Sequence, residues 1–245
     1  MLNHNQNINP NIVVPSQTKA KTKSKTQTNS DEVVEDLEDD LDVEIFDKYM
    51  PSINIGLDHP SPLIQTTALS SVKFPPLIYE ISLPAELIAE GLLSRPQLET
   101  IYYACQIHES PYSSTGHRRG YFLGDGTGVG KGRQLGSLIA ENVIRNRLVK
   151  HLWISASANL MEDAKRDLND IQFERFTGMS LPCTNIIDYT STSKLPNEGI
   201  LFSTYTALNR RKQQILDWLG EDFEGLIIFD ESHNCLLYTS DAADE

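Results

Sequence analysis

Cysteine is scarce in this chain: three among 245 residues, Cys105, Cys183 and Cys235, with no CxxC pair. Neither a disulfide framework nor a structural zinc site is expected from such spacing, and a reducing compartment suits it best. No run approaches the roughly 20 apolar residues of a membrane span. The amino terminus is rich in asparagine and lacks the apolar centre of a secretory signal. The expectation is a soluble protein of the nucleus or cytoplasm, not secreted and without a membrane partner. Positive charge is also short, with 21 Lys and Arg against 34 Asp and Glu for a net charge of −13, which excludes a general basic coat for nucleic acid. Much of that acidity is local. Residues 31–44, DEVVEDLEDDLDVE, hold nine carboxylates and no cation, shortly after a KAKTKSK segment with four lysines.

What is present is enough apolar material, 39% of residues, for one sizeable α/β domain and an appendage. Residues 1–46 are polar and biased, and cannot bury enough apolar surface to offset their ordering entropy, so they read as a disordered tail. Their lysines offer a weak nuclear import signal. Residues 47–82 are rich in proline and read as an extended arm packed on a domain rather than as regular structure. The folded lobe is expected over 83–234. It opens with a helix over about 84–90 and a second helix that starts after Ser94 with Pro96 in its first turn. YFLG at 121–124 predicts a short buried strand running into a glycine loop. A helix follows over 133–146. Then come HLWISA as strand, 158–171 as helix, TNIIDYT and GILFSTYTAL as strands, 211–220 as helix, and GLIIFDESHN as a strand that ends in carboxylates. Short apolar runs alternating with helical patterns predict βαβ units and a mainly parallel sheet.

Two segments carry chemistry. In GDGTGVGKGR, glycines precede a lysine at the start of a predicted helix, so that backbone N–H groups and the helix end face a phosphate while Lys131 meets its β and γ oxygens. Gly126, Thr127, Gly128, Val129, Gly130, Lys131, Gly132 and Arg133 are the nucleotide-contacting candidates. The general rule places Ser or Thr after the lysine as a magnesium ligand; here that position is Gly132. Magnesium keeps several waters and is held mainly by substrate phosphates and a carboxylate, so water can fill the gap. The second segment, LIIFDESHN, delivers Asp230 and Glu231 to the carboxyl edge of a parallel sheet, where ligands bind in open α/β folds. Asp230 is the candidate metal ligand, Glu231 the residue that orients and activates water, and His233 the link to neighbouring motifs. Gln97, upstream of the loop, is the candidate reader of the adenine edge. ATP and Mg2+ are the cofactors these residues imply.

These segments, with DHPSPLIQTTALSSV, LSRPQLETIYYACQIHE, LWISASANLMEDAKRDLNDI and ILFSTYTAL in the same order, resemble the strawberry notch family of superfamily 2 helicase-like proteins. The resemblance runs from about Asp58 to Asn234, and GVGKGR looks like the family's own version of the loop. It implies a RecA-like P-loop NTPase lobe in a nuclear, chromatin- or transcription-associated regulator. By matching position, Lys131 takes the phosphate role and Asp230 and Glu231 the metal and water roles. Ser155, Ser157, Thr204 and Tyr205 fall in segments that look like the family's nucleic-acid-facing ones, with ordinary strand-end capping as the alternative role. Ser232 stands where the family pattern has cysteine.

The resemblance further implies a second RecA-like lobe, which supplies arginines to the nucleotide. The last residues, CLLYTSDAADE at 235–245, do not follow the family pattern; they look like a translated sequencing adapter, and Cys235 and Asp241 receive no functional reading. The lobe alone is not expected to act as a competent motor. An alternative remains open, a non-enzymatic transcriptional co-regulator scaffold retaining the P-loop fold: Gly132 favours the scaffold, and the Asp230–Glu231 pair favours the ATPase.

Overall fold

The computed structural model describes residues 46–110 and 117–233. The expected disordered tail, apart from Phe46, and the expected artefact at 235–245 lie outside the described residues.

Two units share these residues. The smaller contains strand β1 (Phe46–Lys48), paired antiparallel with β2 (Ile64–Thr66), and a short helix α1 (Thr67–Ser70) capped by the Thr66 hydroxyl. The expected arm therefore holds short regular elements where none was predicted. Residues 51–60 and 75–82 belong to the larger unit instead. There Leu57 bridges to Ser94, and the Leu57 carbonyl accepts from Arg95 N at 2.6 Å.

The larger unit continues with α2 (Ala85–Ala89), α3 (Arg95–Glu109), α4 (Lys131–Asn146), β3 (Lys150–Ser155), α5 (Leu160–Asp170) and α6 (Phe173–Thr177). β4 (Cys183–Asn185), β5 (Gly199–Thr204), α7 (Tyr205–Arg210), α8 (Lys212–Leu219) and β6 (Ile227–Phe229) complete it. The strands form a parallel sheet in the order β4-β5-β3-β6, the α/β arrangement with a mainly parallel sheet that was expected. Alternation along the strands divides the core. Trp153, Ile200, Phe202 and Ile228 face one layer with α3, α4, α5 and α6, while Leu152, Ile154 and Leu201 face Tyr205, Ala207 and Ile215. Side chains on successive strand residues point to opposite faces, so these runs read as continuously apolar. Phe202 is fully buried; truncating such a side chain to alanine costs about 3–5 kcal/mol.

Two of the predicted strands stop short of their apolar runs for a local reason. β4 stops at Asn185, whose side chain accepts from Ile187 N at 3.2 Å and starts a 3-10 turn. β5 stops at Thr204, whose hydroxyl accepts from Ala207 N at 3.1 Å and caps α7. The strand expected at 121–124 does not form. β6 pairs with β3 alone among the described residues, and its other edge faces a cleft across which residues 120–125 lie. Phe122 is 84% exposed there. An extended segment with no neighbouring strand gains no ladder hydrogen bonds.

Residues 77–83 are fastened to the lobe by one buried carboxylate. Glu141 on α4 accepts from Tyr79 Oη at 2.7 Å, Ser82 N at 2.8 Å and Leu83 N at 2.8 Å. The backbone donors of Ser82 and Leu83 are thus satisfied from within the lobe.

Candidate functional site

The loop 125–130 forms the left-handed turns that its glycines were expected to supply: Gly128 has φ +91° and Gly130 φ +88°. A Cβ at Gly126 or Gly128 would meet no atom within 4 Å, so this side of the loop is open. A Cβ at Gly130 would instead overlap Gln97 Nε2. α4 begins at Lys131, so the lysine and the free N–H groups of a long helix stand together. Lys131 Nζ donates to the Asp125 carbonyl at 3.1 Å, and the Asp125 carboxylate accepts from the buried Gln134 amide at 2.8 Å. The loop is thus braced at its entry by two residues of the helix it leads into.

The carboxylates arrive at the end of β6. Asp230 N donates to the Ile154 carbonyl at 2.8 Å, Ser155 Oγ donates to Asp230 Oδ2 at 3.0 Å, and Tyr205 Oη donates to the Asp230 carbonyl at 2.9 Å. Glu231 follows with φ +50°, a left-handed conformation uncommon outside glycine. Such backbone costs of order 1–3 kcal/mol and clusters at functional sites. Glu231 Oε2 lies 3.4 Å from His233 Nδ1, both on the exposed side.

A cleft of about 910 Å³ brings the two segments together: Asp125, Lys131, Asp230, Glu231 and His233 all line it. Leu135, Leu138, Ile228 and Phe229 add apolar lining. Such a cleft has the size and the mixture of apolar walls and few polar groups common to ligand sites. One ammonium, two carboxylates and an open glycine turn fit a nucleotide phosphate chain and its divalent cation. Among the described residues no three His, Cys, Asp or Glu side chains converge on a metal site, so phosphate and water oxygens would supply the remaining ligands.

Other expected residues take different places. Gln97 is buried; its Oε1 accepts from Ser94 N at 2.8 Å in a capping box, and its Nε2 donates to the Val129 carbonyl at 2.8 Å. Both ends of the amide are engaged, and reading an adenine edge would require exchanging those bonds. In this geometry Gln97 latches the loop to α3. Ser155 and Tyr205, read as facing nucleic acid, are buried at 0% and 2% exposure against Asp230. Thr204 is the cap of α7, and Ser157 is exposed. Arg133 is turned from the cleft and pairs with Asp170 at 2.7 Å. Thr127 is exposed on the loop. Sequence reasoning did not find Gln134, or the role of Ser155 and Tyr205 as supports of Asp230. The hydroxyls near two strand ends were the signal for the latter, because β6 pairs with β3 and β3 with β5, so that Ser155 and Thr204 end their strands at the level of Asp230.

The fold and the cleft define a P-loop nucleoside-triphosphatase lobe, and the family described as P-loop containing NTP hydrolase pore-1 matches residues 58–244. The chain is 45% identical over 201 residues to Protein strawberry notch homolog 2 of Homo sapiens, covering 78% of this chain and 14% of that protein. It is 41% identical over 222 residues to Protein strawberry notch of Drosophila melanogaster (82% and 13%) and 40% identical over 196 residues to Protein FORGETTER 1 of Arabidopsis thaliana (75% and 14%). The chain belongs to the strawberry notch family. It spans 13–14% of the length of these three relatives. No helix among the described residues is long and apolar enough to cross a membrane.

Proposed function

We propose that this lobe binds ATP with Mg2+ and that, in the intact protein, a superfamily 2 DExH-type mechanism couples ATP hydrolysis to work on nucleic acid or chromatin in transcription regulation in the nucleus. Transcription regulators are the partners this reading implies. The observation that carries it is the sharing of one cleft by Lys131 and the Asp230–Glu231 pair. Lys131 would neutralise charge on the β and γ phosphates, and the first-turn N–H groups of α4 would add partial positive charge. Asp230, oriented by Ser155, would hold the cation, which supplies charge neutralisation to the transferred phosphoryl oxygens. Glu231 would orient the attacking water and accept its proton, with His233 within ion-pairing reach of the same carboxylate. Gln97 supports this chemistry by fixing the Val129 carbonyl and so the turn before Lys131.

The test is ATP turnover by the full-length protein, with and without nucleic acid. Glu231→Gln is expected to retain ATP binding and lose turnover by about 100-fold or more, within the range for a general base. Turnover unchanged in that variant would remove Glu231 from the mechanism.

A second reading, a non-enzymatic co-regulator that retains the fold, is favoured by Gly132, which brings no hydroxyl to a cation. Wild-type full-length protein that binds ATP without turning it over, with or without nucleic acid, would favour that scaffold.

A further inference from the structure

Gly132 is the loop's departure from the usual phosphate-loop rule, and the structure fills the space it vacates. A Cβ built on Gly132 would overlap Asp167 Oδ2 and lie 2.6 Å from Asp167 Cγ. A carboxylate oxygen from α5 therefore stands where the side chain of residue 132 would begin. This close approach is built into both helices. One turn on, a Cβ at Gly136 would lie 3.2 Å from Leu168 Cδ2 and 3.5 Å from Ile171 Cδ1, so two glycines four residues apart let α5 close on the start of α4. The Arg133–Asp170 pair at 2.7 Å fixes the same register from the next position of each helix. Asp167 is partly buried, and Arg133 gives its guanidinium to Asp170. The carboxylate is thus held beside the first turn of α4, next to Lys131.

We propose that Asp167 supplies from α5 the oxygen that Gly132 lacks, holding the water shell of the nucleotide-bound divalent cation as a positioning residue. This rests on the nucleotide site proposed above. The ordinary loop carries its oxygen on the residue after the lysine; here the oxygen is carried by a second helix and the residue after the lysine is reduced to glycine to admit it. The ligand class is a divalent cation with a nucleoside triphosphate. A magnesium ion that keeps several waters accepts such an outer-sphere carboxylate readily.

The experiment measures binding of a fluorescent ATP analogue, mant-ATP, to the protein at increasing Mg2+, with Mn2+ replacing Mg2+ in a parallel series read by electron paramagnetic resonance. In the wild type, Mg2+ is expected to tighten binding. Asp167→Asn should keep the affinity measured without Mg2+ and lower the apparent Mg2+ affinity by about 10-fold, the scale seen when an outer-shell ligand partner is removed. Its Mn2+ spectrum should differ from that of the wild type. The paired exchange Gly132→Ser with Asp167→Ala, which returns an oxygen to position 132 and clears the space for it, should recover the Mg2+ dependence. It also keeps the idea decidable if Asp167→Asn folds poorly. Mg2+ dependence and Mn2+ spectrum unchanged in Asp167→Asn would overturn the proposal and leave Asp167 a space-filling residue, with the nucleotide site intact. Failure of the wild type to bind mant-ATP at any Mg2+ concentration would overturn both readings.

Discussion

His151 sits at the base of β3 with a ring that has no room for a second proton. It is fully buried; Nε2 lies 3.0 Å from the Leu148 carbonyl, and Nδ1 accepts from Leu226 N at 3.1 Å. The ring is therefore neutral, with its proton on Nε2. Burial pushes its pKa down from 6.5 to about 4, against the smaller upward pull of the Leu148 carbonyl. Because the folded-state value lies below the unfolded one, the unfolded chain binds more protons between the two. Stability from this group is complete above about pH 6.5 and is lost as pH falls toward 4. Lowering the pH from 7.5 to 5 should cost about 2 kcal/mol through this residue alone. The loss bears on the site, because Leu226 leads directly into β6, a three-residue strand paired with β3 only among the described residues. Urea unfolding at the two pH values measures the cost. His151→Gln can mimic the neutral ring, accepting from Leu226 N and donating to Leu148, and should lack most of that pH dependence. Equal loss of stability on acidification in wild type and His151→Gln would refute the reasoning and assign the effect to other groups.

Glu141→Ala leaves the Tyr79 hydroxyl and the Ser82 and Leu83 amides without their acceptor. A loss of about 3 kcal/mol is expected, with faster proteolytic cleavage within 77–83; an unchanged unfolding midpoint and cleavage rate would show that the arm is held by other contacts. Ser155→Ala frees the Asp230 carboxylate from its hydroxyl donor and should raise the Mg2+ concentration needed for half-maximal ATP turnover by the full-length protein about 10-fold. Tyr205→Phe removes the hydroxyl that donates to the Asp230 carbonyl and should cost about 1 kcal/mol of stability, with a smaller effect on that Mg2+ requirement. The same change in Mg2+ requirement for both variants would mean that the carboxylate's orientation is not what the hydroxyl of Ser155 controls.

The regular elements that carry a local signal were legible in the sequence. Ser94 followed by Pro96 and Gln97 starts α3 with a capping box, and the glycine turn into Lys131 starts α4. The apolar runs at 150–155 and 199–204 became central strands because both of their faces are covered by helices. Legibility failed where a partner distant in sequence decides the outcome. YFLG is as apolar as a strand, but a strand requires a neighbour, and β6 lies across a cleft. Gln97 suggests an adenine reader upstream of the loop, but sequence spacing does not show that the Ser94 amide and the Val129 carbonyl engage both ends of its side chain. Ser155 and Tyr205 were read as surface contacts; their burial follows from β3 and β5 ending at the level of Asp230, a matter of register. Asp167 gave no signal at all. An aspartate in an amphipathic helix reads as solvated until the fold sets it against Gly132.

The most direct test of the shared nucleotide site is the affinity of the lobe for mant-ATP with Mg2+ in wild type and in Lys131→Ala. The account predicts saturable binding by the wild type that weakens about 10-fold or more in the variant, since removing a charge-assisted phosphate contact costs on the order of 1.5–3 kcal/mol. Equal affinity in the two proteins would contradict it, because the ammonium that shares the cleft with Asp230 and Glu231 would then have no part in holding phosphate.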